Sequence, residues 1–148
     1  MSLDRIKKAL DSINEVKTNP ELIIKDKKKS YGQEMIIDLG NVDISKYRSK
    51  HIKKYASTLC DKIGMKKGPL RLWGNDKDLG TMHNPKADGI SCIQFLYSSS
   101  ILIHAIDELG KIFINVFSCE RFDEKIVREF TLEYFGGTIV REHNLIRK

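Results

Sequence analysis

The stretch from Gly89 to Cys119, GISCIQFLYSSSILIHAIDELGKIFINVFSC, decides the fold. It holds three runs of β-branched and aromatic residues with short polar interruptions, a composition typical of strands. The runs are Ile90 to Leu96, Ile101 to Ile106 and Ile112 to Phe117. The tetrapeptide Asp107 to Gly110 is rich in turn residues and favours a hairpin between the last two runs. We therefore expect three neighbouring antiparallel strands.

The turns also predict which residues face each other across the strands. A two-residue turn at Tyr97-Ser98 places Ser91 directly opposite His104. In the same way, the second hairpin places Cys119 beside Ser98. The sequence thus predicts one serine–histidine pair within the first hairpin and a cysteine close to its turn.

The remaining chain adds strands and two helices around this unit. Apolar spacing and turn residues predict the following elements: strand Glu34 to Leu39, helix Ile44 to Ile63, strand Leu70 to Trp73, helix Asp123 to Phe135 and strand Thr138 to Leu145. Gly74 to Asp88 reads as a long loop, and Trp73 as a core residue. This order indicates an α+β sandwich, with helices covering one face of a mainly antiparallel sheet.

The first thirty residues form an appendage in this interpretation. Ser2 to Val16 has the apolar spacing of a short amphipathic helix, and Lys25 to Ser30 is a lysine-rich connector. We therefore divide the chain into an N-terminal segment, residues 1–30, and a main domain, residues 31–148.

Composition narrows the class of protein. The 148 residues are 41% hydrophobic and 31% charged, as in a soluble globular domain, and no run is long enough for a membrane span. A cytoplasmic location is expected. The net charge of +6 is attributed to solvated lysine-rich faces rather than to nucleic acid or membrane binding. Three widely spaced cysteines predict neither a disulfide framework nor a metal site.

The segment from Gly89 to Cys119 resembles the core of the small prokaryotic S-adenosylmethionine decarboxylases. That family's pattern is G-V-S, a serine at a cleavage point, I-H, and a strand ending D-x-F-[ST]-C. Ser91, Ser99, His104 and Cys119 match its four functional positions without a gap. The likeness extends more weakly from residue 31 to the C-terminus.

The resemblance implies a carboxy-lyase that makes its own cofactor. The chain would be cleaved between Ser98 and Ser99, Ser99 becoming a pyruvoyl group that forms a Schiff base with the amino substrate. Ser91 and His104 would assist cleavage, with His104 the candidate base. Cys119 would protonate the product carbon, and Glu108 would contact the substrate. No metal is implied, and the product would feed polyamine (spermidine) synthesis.

A homodimer or higher homo-oligomer is also expected. Ser99 and His104 lie five residues apart on one strand, about 16 Å, which is too far for direct contact. Ser99 and Cys119 of one subunit would then meet Ser91 and His104 of the other. The resemblance likewise implies active sites at a dimer interface.

Two departures from the family pattern keep alternatives open. Ser98 and Ser100 stand where the family commonly has glutamate and histidine, and residues 84–88 lack the aromatic that stacks on adenine. Trp73, His83 or Tyr97 could replace that aromatic. The alternatives are a pyruvoyl-dependent arginine or ornithine decarboxylase on the same scaffold, or an uncleaved, non-catalytic paralogue.

Overall fold

The computed structural model describes residues 31–75 and 88–148, together with the single position Asp4. The expected helix from Ser2 to Val16, the connector before Tyr31 and most of the loop from Gly74 to Asp88 lie outside the described residues. His83 also lies outside the described residues.

Three strands run up and down through the middle of the fold. They are β3 (Gly89–Leu96), β4 (Ser99–Ile106) and β5 (Lys111–Ser118). Ser91 pairs with His104, and Ser100 pairs with Phe117, so both hairpins have the predicted register. Gly110 closes the second hairpin with a φ of 56°, a conformation that glycine adopts without steric cost.

The other strands complete one six-stranded antiparallel sheet in the order β2-β3-β4-β5-β1-β6. Strand β1 spans Gly32–Gly40, β2 spans Lys67–Gly74 and β6 spans Thr138–Arg147. Strand β1 inserts between β5 and β6, so that the N-terminal strand of the domain pairs with two strands far from it in sequence. The predicted α+β class with a mainly antiparallel sheet is confirmed.

The predicted helix from Ile44 to Ile63 is divided into two parts. A short 3-10 helix covers Ile44–Lys46, and α1 covers Ser49–Lys62. Tyr47 and Arg48 between them have extended backbone conformations. The Tyr47 hydroxyl donates to the carbonyl oxygens of Tyr134 and Phe135, at 3.0 and 3.1 Å, which holds this corner against the second helix.

The second helix, α2 (Glu124–Phe135), begins with a side-chain cap and ends at a glycine. The Asp123 carboxylate accepts a hydrogen bond of 2.9 Å from the Lys125 backbone N–H and so satisfies one free donor of the first turn. The helix ends at Gly136, whose φ of 66° and ψ of −151° are non-helical and lie in a region that is open almost only to glycine.

Both helices cover the same face of the sheet. Alternate strand residues such as Ile37, Ile103 and Ile114 are buried there against Tyr55 and Leu59 of α1. The Tyr55 hydroxyl and the Thr131 hydroxyl, 2.7 Å apart, satisfy each other within this core. Burying each large aliphatic side chain contributes about 1.5 to 3 kcal/mol to folding, so this layer supplies most of the driving force.

No described helix covers the opposite face of the sheet. Its side chains are half-buried or exposed, although many are apolar, as alternation along the strands shows. They include Ile36, Ile93, Phe95, Leu102, Phe113 and Phe117. We call this surface the uncovered face. No helix within the described residues has the length and apolar character needed to cross a bilayer.

Candidate active site

The middle of the β3–β4 hairpin holds a serine–histidine pair. Ser91 Oγ lies 2.8 Å from His104 Nδ1, a distance at which the hydroxyl and the ring share a proton. Both side chains lie on the uncovered face, where they are half-buried. A histidine side chain is the group most often used to accept and return protons in catalysis. The register prediction for this pair is confirmed.

The turn of the same hairpin has an unusual backbone. Leu96 and Ser99 are the last paired residues, so Tyr97 and Ser98 form a two-residue turn. Ser98 has a φ of 60°, in the left-handed region that costs a residue with a Cβ atom about 1 to 2 kcal/mol. The bond between Ser98 and Ser99 therefore follows a strained residue, and the turn is open to solvent, with Tyr97 84% exposed.

Ser99 and Cys119 meet next to this turn. The Cys119 backbone N–H donates a 3.0 Å hydrogen bond to Ser99 Oγ. The Cys119 thiol points to the Tyr97 carbonyl oxygen at 3.9 Å. Because Cys119 follows directly after β5, the register of the second hairpin brings its thiol to the turn of the first.

The two pairs of side chains do not meet within one protomer. Ser99 lies on the same face of β4 as the buried Ile101 and Ile103, whereas His104 lies on the uncovered face with Leu102. The sheet separates the Ser99 hydroxyl from the His104 ring. A single chain thus presents a turn site, formed by Ser98, Ser99 and Cys119, and a separate face site, formed by Ser91 and His104.

A cavity of about 290 Å³ adjoins the turn site. It lies between the α1–β2 connection, the β3–β4 turn and the end of β5. Its lining consists of Gly64, Met65, Lys66, Leu96, Tyr97, Ser99, Cys119 and Glu120. Sequence reasoning missed Lys66 and Glu120, since charged residues in connecting segments have no distinctive spacing.

Other predicted residues lie elsewhere. Glu108 is exposed in the β4–β5 turn, at the end of β4 opposite to Ser99. The prediction that Trp73 belongs to the core is wrong. Trp73 is 66% exposed on the uncovered face, directly across from Ser91, because strand alternation turns its neighbour Leu72 toward the core instead.

The remaining cysteines are buried in the helix-covered core. Burial raises the pKa of the Cys60 thiol to about 11 and that of the Cys92 thiol to about 12. Both are therefore protonated and unreactive at neutral pH, unlike a partly exposed thiol. Among the described residues, no three His, Cys, Asp or Glu side chains are placed to hold a metal ion together.

Comparison with known proteins agrees with this architecture. A solved structure of adenosylmethionine decarboxylase from Aquifex aeolicus superimposes with a TM-score of 0.64 at 18% identity, covering 80% of this chain and 92% of that one. This likeness bears on the fold. No curated protein sequence gives a significant match. The family model described as S-adenosylmethionine decarboxylase matches residues 33–148. The chain therefore belongs to the S-adenosylmethionine decarboxylase family, and it is a carboxy-lyase.

Proposed function

We propose that this chain cleaves its own backbone between Ser98 and Ser99 and then decarboxylates S-adenosylmethionine for polyamine (spermidine) biosynthesis. The observation that supports this proposal is the geometry of the turn site. There Ser99 follows the strained left-handed residue Ser98 and contacts Cys119, the one partly exposed cysteine of the described residues. Family membership supports the substrate.

Cleavage would begin at the Ser99 hydroxyl. Its oxygen attacks the carbonyl carbon of Ser98, the peptide C–N bond breaks, and an ester links Ser98 to Ser99 Oγ. Removal of the proton from Cα of residue 99 then expels the Ser98 carboxylate and leaves a dehydroalanine. Addition of water and loss of ammonia yield a pyruvoyl group at position 99. The hydrogen bond from the Cys119 N–H holds Ser99 Oγ and leaves the hydroxyl proton free to depart.

The residues at the turn fit such a group. A pyruvoyl carbonyl supplies the electron sink that accepts the electron pair left by carbon dioxide. Position 99 borders the cavity, so its carbonyl would face a space large enough for an amino acid. The Cys119 thiol borders the same cavity and is the proton donor for the product carbon.

The active form in this proposal is a homodimer. Ser91 and His104 lie on the uncovered face and cannot reach Ser99 of their own chain, so a second copy must bring the two sites together. The uncovered face offers a half-buried apolar surface for that copy, including Ile93, Leu102 and Phe113. His104 of one subunit then serves as the base for proton removal at position 99 of the other.

Intact-mass measurement of the purified protein tests the cleavage. We expect one chain ending at Ser98 and a second chain beginning at 99 with a blocked, pyruvoyl N-terminus that borohydride reduces. Ser99→Ala should remain a single chain. A wild-type protein of full mass, with no carbonyl to trap, would establish the uncleaved paralogue instead.

Carbon dioxide release identifies the substrate of the cleaved protein. We expect release from S-adenosylmethionine and none from arginine or ornithine. Release from arginine or ornithine alone would assign the amino acid decarboxylase alternative. That alternative draws on the absence of an adenine-stacking aromatic from residues 84–88.

Complementation tests the shared site. In this scheme the Ser99→Ala homodimer is inactive and the His104→Ala homodimer is cleaved about a hundredfold more slowly than the wild type, but a mixed dimer has one intact site. Co-expression should restore cleavage of the His104→Ala chain and about half of the decarboxylation per dimer. An active monomer in size-exclusion chromatography would contradict the shared site.

A further inference from the structure

Two opposite charges line the cavity that adjoins the turn site. Lys66 comes from the α1–β2 connection and Glu120 from the residue after Cys119. Neither side chain has an ion-pair or hydrogen-bond partner within residues 31–75 and 88–148. The neighbouring Lys67 differs, since its ammonium group contacts Asp61 at 2.7 Å and Ser57 at 2.9 Å. The Lys66 and Glu120 charges are thus available to a ligand.

A buried hydroxyl holds both segments in place. Ser118, which is fully buried, donates from its Oγ to Met65 Sδ at 3.6 Å. The same Oγ accepts a 3.0 Å hydrogen bond from the Glu120 backbone N–H. One side chain therefore links the residue before Lys66 to the backbone of Glu120. The two backbone segments that border the cavity are therefore linked to each other, and the Lys66 and Glu120 side chains that they carry are exposed to solvent.

From this wall we infer that Lys66 and Glu120 select an amino acid whose side chain is positively charged. The inference rests on the proposed function, because it places the substrate's reacting carbon at position 99. Lys66 binds the carboxylate group of the substrate, and Glu120 binds the positive charge of its side chain. With about 290 Å³, the cavity is at the small end of ligand sites and takes the amino-acid part of the substrate, leaving a larger substituent outside.

The charge pattern explains why Glu120 would discriminate between substrates. S-adenosylmethionine carries a sulfonium, whereas methionine has a neutral thioether at the same atom. A carboxylate on the cavity wall attracts the positively charged sulfonium, whereas it has no such attraction for the neutral thioether. Because it contacts a group that does not react, Glu120 contributes ground-state binding, and its loss should raise KM while leaving kcat unchanged.

Binding and kinetics of four variants test the inference. Glu120→Gln and Lys66→Met are compared with Lys54→Met and Glu133→Gln, which remove the same charges from exposed helix positions away from the cavity. We expect Glu120→Gln to raise the KM for S-adenosylmethionine about tenfold, with kcat within about twofold. Its affinity for methionine as a competitor should not change. Lys66→Met should weaken the binding of both ligands, and the two control variants should weaken the binding of neither.

Measurement in an uncleaved background separates this inference from the proposed function. Calorimetric titration of S-adenosylmethionine into Ser99→Ala protein needs no turnover, and Glu120→Gln and Lys66→Met in that background should each weaken binding about tenfold. If these variants lose affinity but the wild-type protein is never cleaved, Lys66 and Glu120 remain assigned as the binding pair and the proposed enzymatic function is rejected. A cleaved, active wild type whose two cavity variants behave like the controls would overturn the inference.

Discussion

The β3–β4 hairpin carries the two candidate sites in very different settings. In its middle, Ser91 and His104 are cross-strand partners whose 2.8 Å contact needs only the register of two regular strands. At its turn, Ser99 and Cys119 come from different strands and meet beside a strained residue, Ser98. The face site thus follows from regular pairing of two strands, whereas the turn site depends on one backbone conformation. This contrast predicts that the two regions respond differently to substitution.

The largest effect is expected from the nucleophile of the turn site. Ser99→Ala should abolish cleavage and reduce carbon dioxide release to background, since no hydroxyl can attack the Ser98 carbonyl. Cys119→Ala should still cleave but turn over poorly. Ser45→Ala is the control, because Ser45 is exposed in the short 3-10 helix and belongs to neither site. Mass spectrometry and carbon dioxide release provide the readouts, and two chains from Ser99→Ala would reject the assignment of the nucleophile.

Thiol labelling sharpens the comparison between the two regions. Cys92 neighbours Ser91 in the face site but points into the core, where burial raises its pKa to about 12. At pH 7.5 this lowers its reactive thiolate fraction about a thousandfold relative to an ordinary cysteine. Iodoacetamide should therefore modify Cys119 first, as followed by peptide mapping. Cys119→Ser protein is the control and should resist labelling until it is unfolded; equal rates at Cys92 and Cys119 would contradict the burial.

Substitutions in the face site should slow cleavage less than Ser99→Ala does, and the effects of its two residues should overlap. Ser91→Ala and His104→Ala should each slow cleavage about a hundredfold, the lower range for general acid–base catalysis. Because the two groups exchange one proton, the double variant should be no slower than the slower single variant. Time courses of chain cleavage measure all three rates. An additive loss of about ten-thousandfold would show that the residues act separately.

Local features of the sequence predict the hairpins well. Tyr97-Ser98 and Asp107 to Gly110 fix the strand pairing, and alternation then assigns each residue to a face. The placement of the four candidate residues that the family resemblance identified follows from this register. The insertion of β1 between β5 and β6 does not, because pairs such as Gln33 with Ser118 are set by packing of distant segments.

Three further features escaped sequence reasoning for physical reasons. The helix beginning at Ile44 breaks at Tyr47, where hydrogen bonds to the end of α2 hold a corner that helical periodicity cannot reveal. The hydrophobic character of Trp73 predicts a core position, but its side of β2 faces away from the helices. Lys66 and Glu120 lie in connecting segments that are far apart in sequence, so only the folded structure shows that both line one cavity.

The turn conformation itself supplies the smallest expected effect. Ser98 has a φ of 60°, and glycine there would remove a cost of about 1 kcal/mol from the uncleaved chain. If cleavage releases that strain, Ser98→Gly should slow cleavage about fivefold. Ser98→Val tests the direction, since a β-branched residue tolerates this conformation less well than serine and should speed cleavage. Ser100→Gly controls for general loosening of the hairpin. Slower cleavage by Ser98→Val would mean that the left-handed turn aligns the carbonyl for attack rather than storing strain.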